Sequence, residues 1–301
     1  MDKNVSIKWY GTLDSTNSQA RREAEESCEG SVWIADFQTA GRGQRGNRWE
    51  SRKGENLTFS ILFKPEFLPP HKQFLISQVC AVGIYRYLAG KGMPASIKWP
   101  NDIYIGNKKI CGILIENSIS GDKLSVSIAG IGLNLNQTQF ASDAPNPTSL
   151  LIETIVRKGY AGRPSAPHPA EKGEGNHARQ ADATGGHRPW VGMKPFDRKE
   201  ELRLLLGYIF TAYDELKEGF AQELANEYTE NLYRLGEFHK FIEIAPDAPA
   251  DIPVEKIMQG KEITARIMGC DEAGCAILEH EDGTVRSYPF KGIRYVISGR
   301  R

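Results

Sequence analysis

Cysteine is scarce and scattered in this chain. There are five in 301 residues, Cys28, Cys80, Cys111, Cys270 and Cys275, an odd number with no CxxC pair. That argues against a disulfide framework and a cysteine zinc site, and fits a reducing compartment. Neither charge is in excess, with 38 acidic and 38 basic residues, so neither bulk nucleic-acid binding nor an acidic tail is indicated. No apolar run approaches bilayer length, and the start, Met1-Asp2-Lys3-Asn4, has no signal-peptide core. The expectation is a soluble, cytoplasmic protein that does not bind membranes. No Gly-Lys-Ser/Thr closes a Walker A loop, no HRD or DFG segment marks a kinase, and no internal repeat is present. No helix-turn-helix precedes the first strand pattern, which sets the further expectation of no DNA binding.

Glycine and arginine, by contrast, are concentrated in one stretch, Gln38-Thr39-Ala40-Gly41-Arg42-Gly43-Gln44-Arg45-Gly46-Asn47-Arg48-Trp49. Glycines let a backbone approach an anion closely, and arginines offer planar forks of donors to phosphate or carboxylate oxygens. The pattern Gly41-x-Gly43-x-x-Gly46 also matches the dinucleotide fingerprint, which requires a helix to begin at the loop. Here the strand-like run Val32–Phe37 precedes it and another, Leu57–Phe63, follows. Strand, loop, strand is not a Rossmann turn. The duller reading of the segment alone is a solvated basic loop.

Around this loop the periodicity predicts an α+β fold. Val5–Tyr10 reads as a strand, and Asp14-Ser15-Thr16-Asn17 offers N-caps for a helix over Ser18–Ser27. Strands at 31–37 and 56–63 flank the loop. A helix over Pro70–Ala89 follows from apolar Phe74, Ile76, Val79, Ala81, Val82 and Leu88, and ends at Gly90 and Gly92. Strands at 96–99, 103–105, 110–115 and 124–131 are separated by turn signals at Pro100-Asn101-Asp102, Gly106-Asn107 and Gly121-Asp122. Mixed, mostly antiparallel strands with helices on one face are expected.

From Gly159 to Pro195 bulky apolar residues nearly vanish, and a long flexible insertion is expected there. Its His168, His177 and His187 read as solvated loop residues, because no close ligand set accompanies them. Helical patterns return over Asp197–Gly219, with Leu202, Leu205, Leu206, Ile209, Tyr213 and Leu216 on one side, and over Phe220–Leu232. Short strands between Gly236 and Ile297 predict a small SH3-like β-barrel. The expected division is 1–232, carrying the insertion at about 159–195, and 233–301.

Three further segments carry polar chemistry. Ser15-Thr16-Asn17 sits at a loop-to-helix junction, where hydroxyls and free N–H groups meet a ligand or merely cap the helix. Lys98-Trp99-Pro100-Asn101-Asp102 sets a carboxylate and an amide in a rigid turn, which is also ordinary hairpin chemistry. Lys108-Lys109 enters the strand Ile110-Cys111-Gly112-Ile113-Leu114, where a lysine suits an oxyanion but is equally a common surface charge.

Taken in order, these segments and the later Gly130-Ile-Gly-Leu-Asn-Leu-Asn136 closely resemble the biotin–protein ligases. The resemblance covers roughly 10–150 and returns around 197–297. It implies a class II synthetase-like biotin/lipoate ligase fold with a small C-terminal β domain, here 233–301 after a catalytic 1–232. The activity it implies is that of a biotin–[acetyl-CoA-carboxylase] ligase: biotin and Mg·ATP give biotinyl-5′-AMP, and a lysine of a biotin carboxyl carrier domain then takes the biotinyl group.

The resemblance assigns Ser15, Thr16, Asn17 and Gln38 to the biotin end. It assigns Gly41, Arg42, Gly43, Gln44 and Trp49 to the closing loop and its flank, and Lys109, with Gly112, to the biotin carboxylate and bridging phosphate. Lys109 and Arg42 are the catalytic candidates. Arg45, Lys98, Asn101, Asp102, Asn134 and Asn136 are the ATP-side candidates. Mg²⁺ is expected on the ATP phosphates, with no metal ligands identifiable. Rival readings are a lipoate–protein ligase of the same fold and a non-catalytic biotin sensor. The KWPND and GRGxxG segments favour biotin, and Lys109 with Arg42 favours catalysis. Two departures stand out: Gln44 occupies a position where many relatives carry Arg, and the 159–195 insertion is long. Strand edges in the β-rich half allow a homodimer by sheet extension.

Overall fold

The structure is a computed structural model and describes residues 6–44, 47–141, 146–159, 194–244, 260–290 and 292–297. Most of the 159–195 insertion, with its three histidines, and Arg45 lie outside those residues. Seven strands form the main sheet: β1 (Ile7–Tyr10), β2 (Val32–Ala35), β3 (Leu57–Phe63), β4 (Ala95–Lys98), β5 (Asp102–Ile105), β6 (Lys108–Ser120) and β7 (Lys123–Leu133). Their order is β1-β2-β3-β7-β6-β5-β4. Only β1 and β2 are parallel, joined through α1 (Thr16–Glu23); every other pair is antiparallel.

Alternation along β3 shows how the sheet divides its two faces. Leu57, Phe59, Ile61 and Phe63 join the large core with Ala129, Ile131 and Leu133 of β7. Helices α2 (Phe74–Gly90) and α4 (Arg198–Lys217) cover that face, packed on each other, with α5 (Ala221–Glu230) beside them. Each fully buried Leu or Ile there contributes about 1.5–3 kcal/mol. The expectation of helices on one face thus describes the long helices. Short α1 lies on the opposite face, over a smaller cluster of Ala20, Ala24, Trp33, Leu62 and Ile128. Between α1 and the sheet the face is polar, with Thr58 and Ser60 buried.

Several boundaries differ from the sequence reading. The helix expected from Pro70 opens as a 3₁₀ turn, Pro70–Lys72, and the α-helix begins at Phe74, with Pro69 and Pro70 fixing the extended entry. The β6–β7 hairpin runs much further than its apolar centre, because its outer residues keep pairing while half exposed. One helix was not anticipated at all: α3 (Leu150–Arg157), capped by Ser149, whose hydroxyl accepts from the Ile152 N–H at 3.2 Å. Its signal was present as a capping serine ahead of Leu150, Leu151 and Ile155.

The C-terminal strands β8 (Phe238–Glu243), β9 (Lys261–Cys270), β10 (Ala276–His280), β11 (Val285–Tyr288) and β12 (Ile293–Tyr295) form an antiparallel sheet, ordered β11-β10-β9-β8-β12. This fits the small β domain expected. It packs on the main body: the Trp99 indole donates to the Gly274 carbonyl at 2.9 Å, and the Phe290 ring meets Phe74 and Trp99. Among the described residues, no helix is long and apolar enough to cross a membrane.

Candidate functional site

The centre of the main sheet has been stripped of side chains. Gly112 of β6 and Gly132 of β7 are direct cross-strand partners, and Gly130 pairs with Leu114. A Cβ on Gly130 would stand 2.2 Å from Asn17 Oδ1, and one on Gly132 would stand 2.2 Å from the Trp49 indole. Only glycine allows α1 and the Trp49 segment to approach the strands this closely. The result is a cleft of about 470 Å³, open mouth included, between the sheet, the first turn of α1 and the glycine loop.

One end of the cleft is neutral and densely hydrogen-bonded. Ser15, Thr16 and Asn17 are all buried. Ser15 occupies the N-cap position of α1, yet its side chain makes no capping bond, so capping does not account for it. Ser60 Oγ lies 2.6 Å from Asn17 Oδ1 and 2.8 Å from Thr16 Oγ1. With a single proton, Ser60 donates to the amide oxygen and accepts from the threonine. Gln38 Oε1 accepts the Thr16 N–H at 2.7 Å, and Asn17 Nδ2 donates to Glu116 at 3.0 Å. These bonds hold the first-turn side chains in fixed rotamers at the cleft wall.

The two described arms of the glycine loop, 38–44 and 47–49, meet over this end. Gly43 N–H donates to Asn47 O at 2.6 Å, Trp49 N–H donates to Gly41 O at 3.1 Å, and Arg42 bridges to Arg48. Gly41 itself lies beneath the lining, against the Trp49 carbonyl and the Gln38 side chain. Arg42, Gly43, Gln44 and Trp49 reach the cleft. The Arg42 guanidinium straddles Glu116, at 3.3 Å from Oε1 and 3.4 Å from Oε2, with Arg21 3.7 Å from the same carboxylate.

Lys109 supplies the cation at the other end. Between β5 and β6 the register shifts, so that Ile103 faces Cys111 while Tyr104 faces Lys109, leaving Ile110 as an extra residue. Such a bulge re-aims the side chain beside it. Lys109 and Gly112, three residues apart, therefore share a face, and the ammonium sits 3.3 Å from where a Gly112 Cβ would be. Its partner is Asp102 Oδ1 at 2.6 Å, and the Trp49 ring centroid lies 5.7 Å away. An ammonium has three protons, so one ion pair leaves donors for a second anion. Asn101 also lines the cleft, its amide donating to Ile113 O at 2.6 Å. The neighbouring Cys111 is no nucleophile: burial pushes its thiol well above the ordinary range.

Not every expected residue comes to the cleft. Asn136 is spent on the backbone of Phe196, donating to its carbonyl at 3.0 Å and accepting its N–H at 2.9 Å. It therefore fastens the chain entering α4 and does not line the cleft. Lys98 lies behind the cleft against Tyr104 and Tyr295. Asp102 reaches the cleft through Lys109. Asn134 is buried, with Nδ2 donating to Thr148 O at 2.9 Å and Oδ1 unpartnered. Thr58, Ile113, Leu114, Gly130, Ile131 and Gly132 line the cleft without having been named as site residues. Among the described residues, no group of three or more His, Cys, Asp or Glu side chains could hold a metal ion.

This arrangement parallels known proteins. A family model described as the biotin/lipoate A/B protein ligase family matches residues 10–134. The chain is 35% identical over 285 residues to the bifunctional ligase/repressor BirA of Escherichia coli, covering 94% of this chain and 72% of that protein. It is 37% identical over 131 residues to BirA of Bacillus spizizenii, a match that spans 43% of this chain but only 40% of the relative's length. The solved structure of biotin protein ligase from Aquifex aeolicus in complex with biotin and ATP superposes with a TM-score of 0.67 at 23% identity, covering 97% of this chain and 99% of that one. At that identity the likeness concerns the fold.

Proposed function

Since this chain belongs to the biotin–protein ligases, within the biotin/lipoate protein ligase family, we propose that it activates biotin with ATP and transfers the biotinyl group to a lysine of a biotin carboxyl carrier domain. A biotin carboxylate oxygen attacks the α-phosphorus of ATP and pyrophosphate leaves, giving biotinyl-5′-AMP. The acceptor lysine amine then attacks the acyl carbon, AMP leaves, and an amide remains. The nucleophile comes from the acceptor, so the cleft needs no nucleophile of its own. The chemistry is assigned to 1–232.

The observation that carries this reading is the pairing of a hydroxyl- and amide-lined pocket with the Lys109 ammonium at its far end. Biotin's ureido group is uncharged and needs matched donors and acceptors, which Ser15, Thr16, Asn17 and Gln38 supply. The glycine-floored centre between Trp49 and the sheet suits an aliphatic chain. Lys109 meets the carboxylate where it must approach the α-phosphate, and offsets the repulsion of two anions in the transition state. Arg42, hinged on glycines and resting on Glu116, is available to the phosphate as the loop closes and excludes water from the anhydride.

On the nucleotide side the residues fit ATP. Asn101 lines the cleft beside Lys109. Mg²⁺ enters with the phosphates and supplies charge neutralisation there.

The test is pyrophosphate release from Mg·ATP with biotin or lipoate supplied separately and no acceptor. Release with biotin alone, followed by transfer to a carrier domain, is expected. Release with lipoate alone would move the substrate to the sister enzymes. Tight biotin binding without release would make the protein a sensor.

A further inference from the structure

Lys98 carries a charge that the cleft does not use directly. It stands on β4 opposite Asp102 of β5, its cross-strand partner, with its side chain only 16% exposed. Its ammonium lies 5.2 Å from the Tyr104 ring centroid and 4.9 Å from that of Tyr295. It is also 3.8 Å from Asp102 Oδ2, while Oδ1 of the same carboxylate is 2.6 Å from the Lys109 ammonium. One carboxylate thus spans two lysines, one in the cleft and one in an aromatic cage behind it.

Half of that cage belongs to the other sheet. Tyr295 lies on β12, its ring packed against Phe241 and Tyr233, and Tyr233 in turn packs on Tyr104. Among the described residues, none beyond 232 lines the cleft itself, while Ala273 and Phe290 line an adjoining hollow that shares Gln44, Asn101 and Ile113 with it. The cage is therefore a physical connection between the C-terminal sheet and the reacting end of the site.

We propose that Lys98 is a positioning residue for the adenylate-forming step: Tyr104 and Tyr295 hold Lys98, Lys98 holds one oxygen of Asp102, and the other oxygen aims Lys109. The inference rests on the function proposed above. An aspartate paired through one oxygen can rotate about its side chain and carry its partner with it. A second cation 3.8 Å from the second oxygen favours one orientation of the carboxylate by charge attraction, and with it the direction in which Lys109 is held. Two aromatic faces restrain the holding cation itself. Misplacing a catalytic group by about 1 Å costs on the order of a hundredfold in rate. Through this relay the C-terminal sheet contributes to adenylation.

The experiment uses the full chain and four variants: K98M, K98R, Y295L and Y295F. Two quantities are read, steady-state pyrophosphate release with varied biotin, and the ¹⁵N signal of the Lys109 ammonium, assigned by its loss in K109Q. K98M and Y295L are expected to lower kcat by about tenfold or more, with KM for biotin nearly unchanged and the ammonium signal broadened. K98R keeps a cation in the cage and Y295F keeps the ring, so both track the wild type. Unchanged melting curves for K98M separate positioning from folding. Wild-type kcat and an intact ammonium signal in K98M would overturn the proposal. So would K98R as impaired as K98M, or Y295F as impaired as Y295L. Should the wild type release no pyrophosphate with biotin, the functional reading falls, while the ammonium signal still decides whether Lys98 and Tyr295 hold Lys109.

Discussion

Lys109 and Gly112 stand three residues apart on one strand and face the same side of the sheet, because Ile110 is extruded from the register between them. Without the bulge, alternation would send the lysine and the glycine to opposite faces. The cation and the gap it looks into are thus products of a single irregularity.

Lys109→Gln shortens the side chain by one atom, keeps a polar end and removes the charge. Biotin-dependent pyrophosphate release should fall by about a hundredfold or more, with the melting temperature little changed, since the side chain remains 22% exposed. Wild-type release in this variant would remove Lys109 from the chemistry.

Gly132→Val would drive a side chain into the space held by the Trp49 indole. Overpacking of this kind costs about 1–3 kcal/mol. The indole should be displaced, shifting tryptophan emission, and biotin affinity by calorimetry should collapse. Unaltered emission together with unaltered affinity would show that the glycine floor does not shape the cleft.

Ser60→Ala leaves the buried Asn17 amide oxygen without its donor and Thr16 without its acceptor. The expected loss is about 1–3 kcal/mol in denaturant unfolding, with a parallel weakening of biotin binding as Asn17 gains rotational freedom. A variant equal to wild type in both would mean that water replaces the serine at no cost.

Acid should weaken the attachment of α1 to β1. Hydrogen bonds from Lys8 and the Trp33 indole hold the Glu23 carboxyl down at about 2, against its ordinary 4.5. A depressed carboxylate stabilises the fold fully above its unfolded value and loses that contribution as pH falls through the folded one. The Glu23 contribution is therefore intact above pH 4.5 and disappears towards pH 2. Asp36 follows below 3.8: burial pushes it up, but hydrogen bonds from Arg198 and Trp9 outweigh that and hold it low. Glu23→Gln should flatten the pH dependence of the melting temperature in this window, and an unchanged slope would refute the assignment.

Gln44→Arg adds a cation to the cleft lining. If Gln44 limits how tightly the adenylate is held, the arginine variant should lengthen the dwell of biotinyl-5′-AMP, measured by its rate of appearance in solution after rapid filtration. An equal rate would show that Arg42 and Lys109 already suffice.

The long helices, the sheet and the polar segments were legible in the sequence because each is a local pattern. The glycine loop showed as strand, loop, strand, and Ser15-Thr16-Asn17 as a junction. What stayed hidden depends on pairings far apart in the chain. Ser60 sits inside an ordinary-looking strand and matters only because α1 crosses it. Glu116 joins Asn17 to Arg42 only through the β6–β7 register. Asn136 and Lys98 belong to recognisable motifs, yet their side chains turn to Phe196 and to an aromatic cage, which no local pattern encodes. The bulge at Ile110 leaves no compositional mark, since an isoleucine there fits a regular strand equally well.

The clasp of Asn136 on Phe196 has a counterpart on the other side of the insertion. Upstream of the insertion, α3 is fastened through Glu153 to Lys108 and Thr148. Downstream, Phe196 is gripped at both its amide and its carbonyl, and Arg198 is bolted to Asp36. Both stems of the intervening segment are anchored before it begins and after it ends. The upstream flank is tied to the cleft strand itself, since Lys109 exchanges backbone hydrogen bonds with Asn146 and Thr148, so the stretch 146–157 serves as a brace for the cation and loosening it would reach the cleft directly.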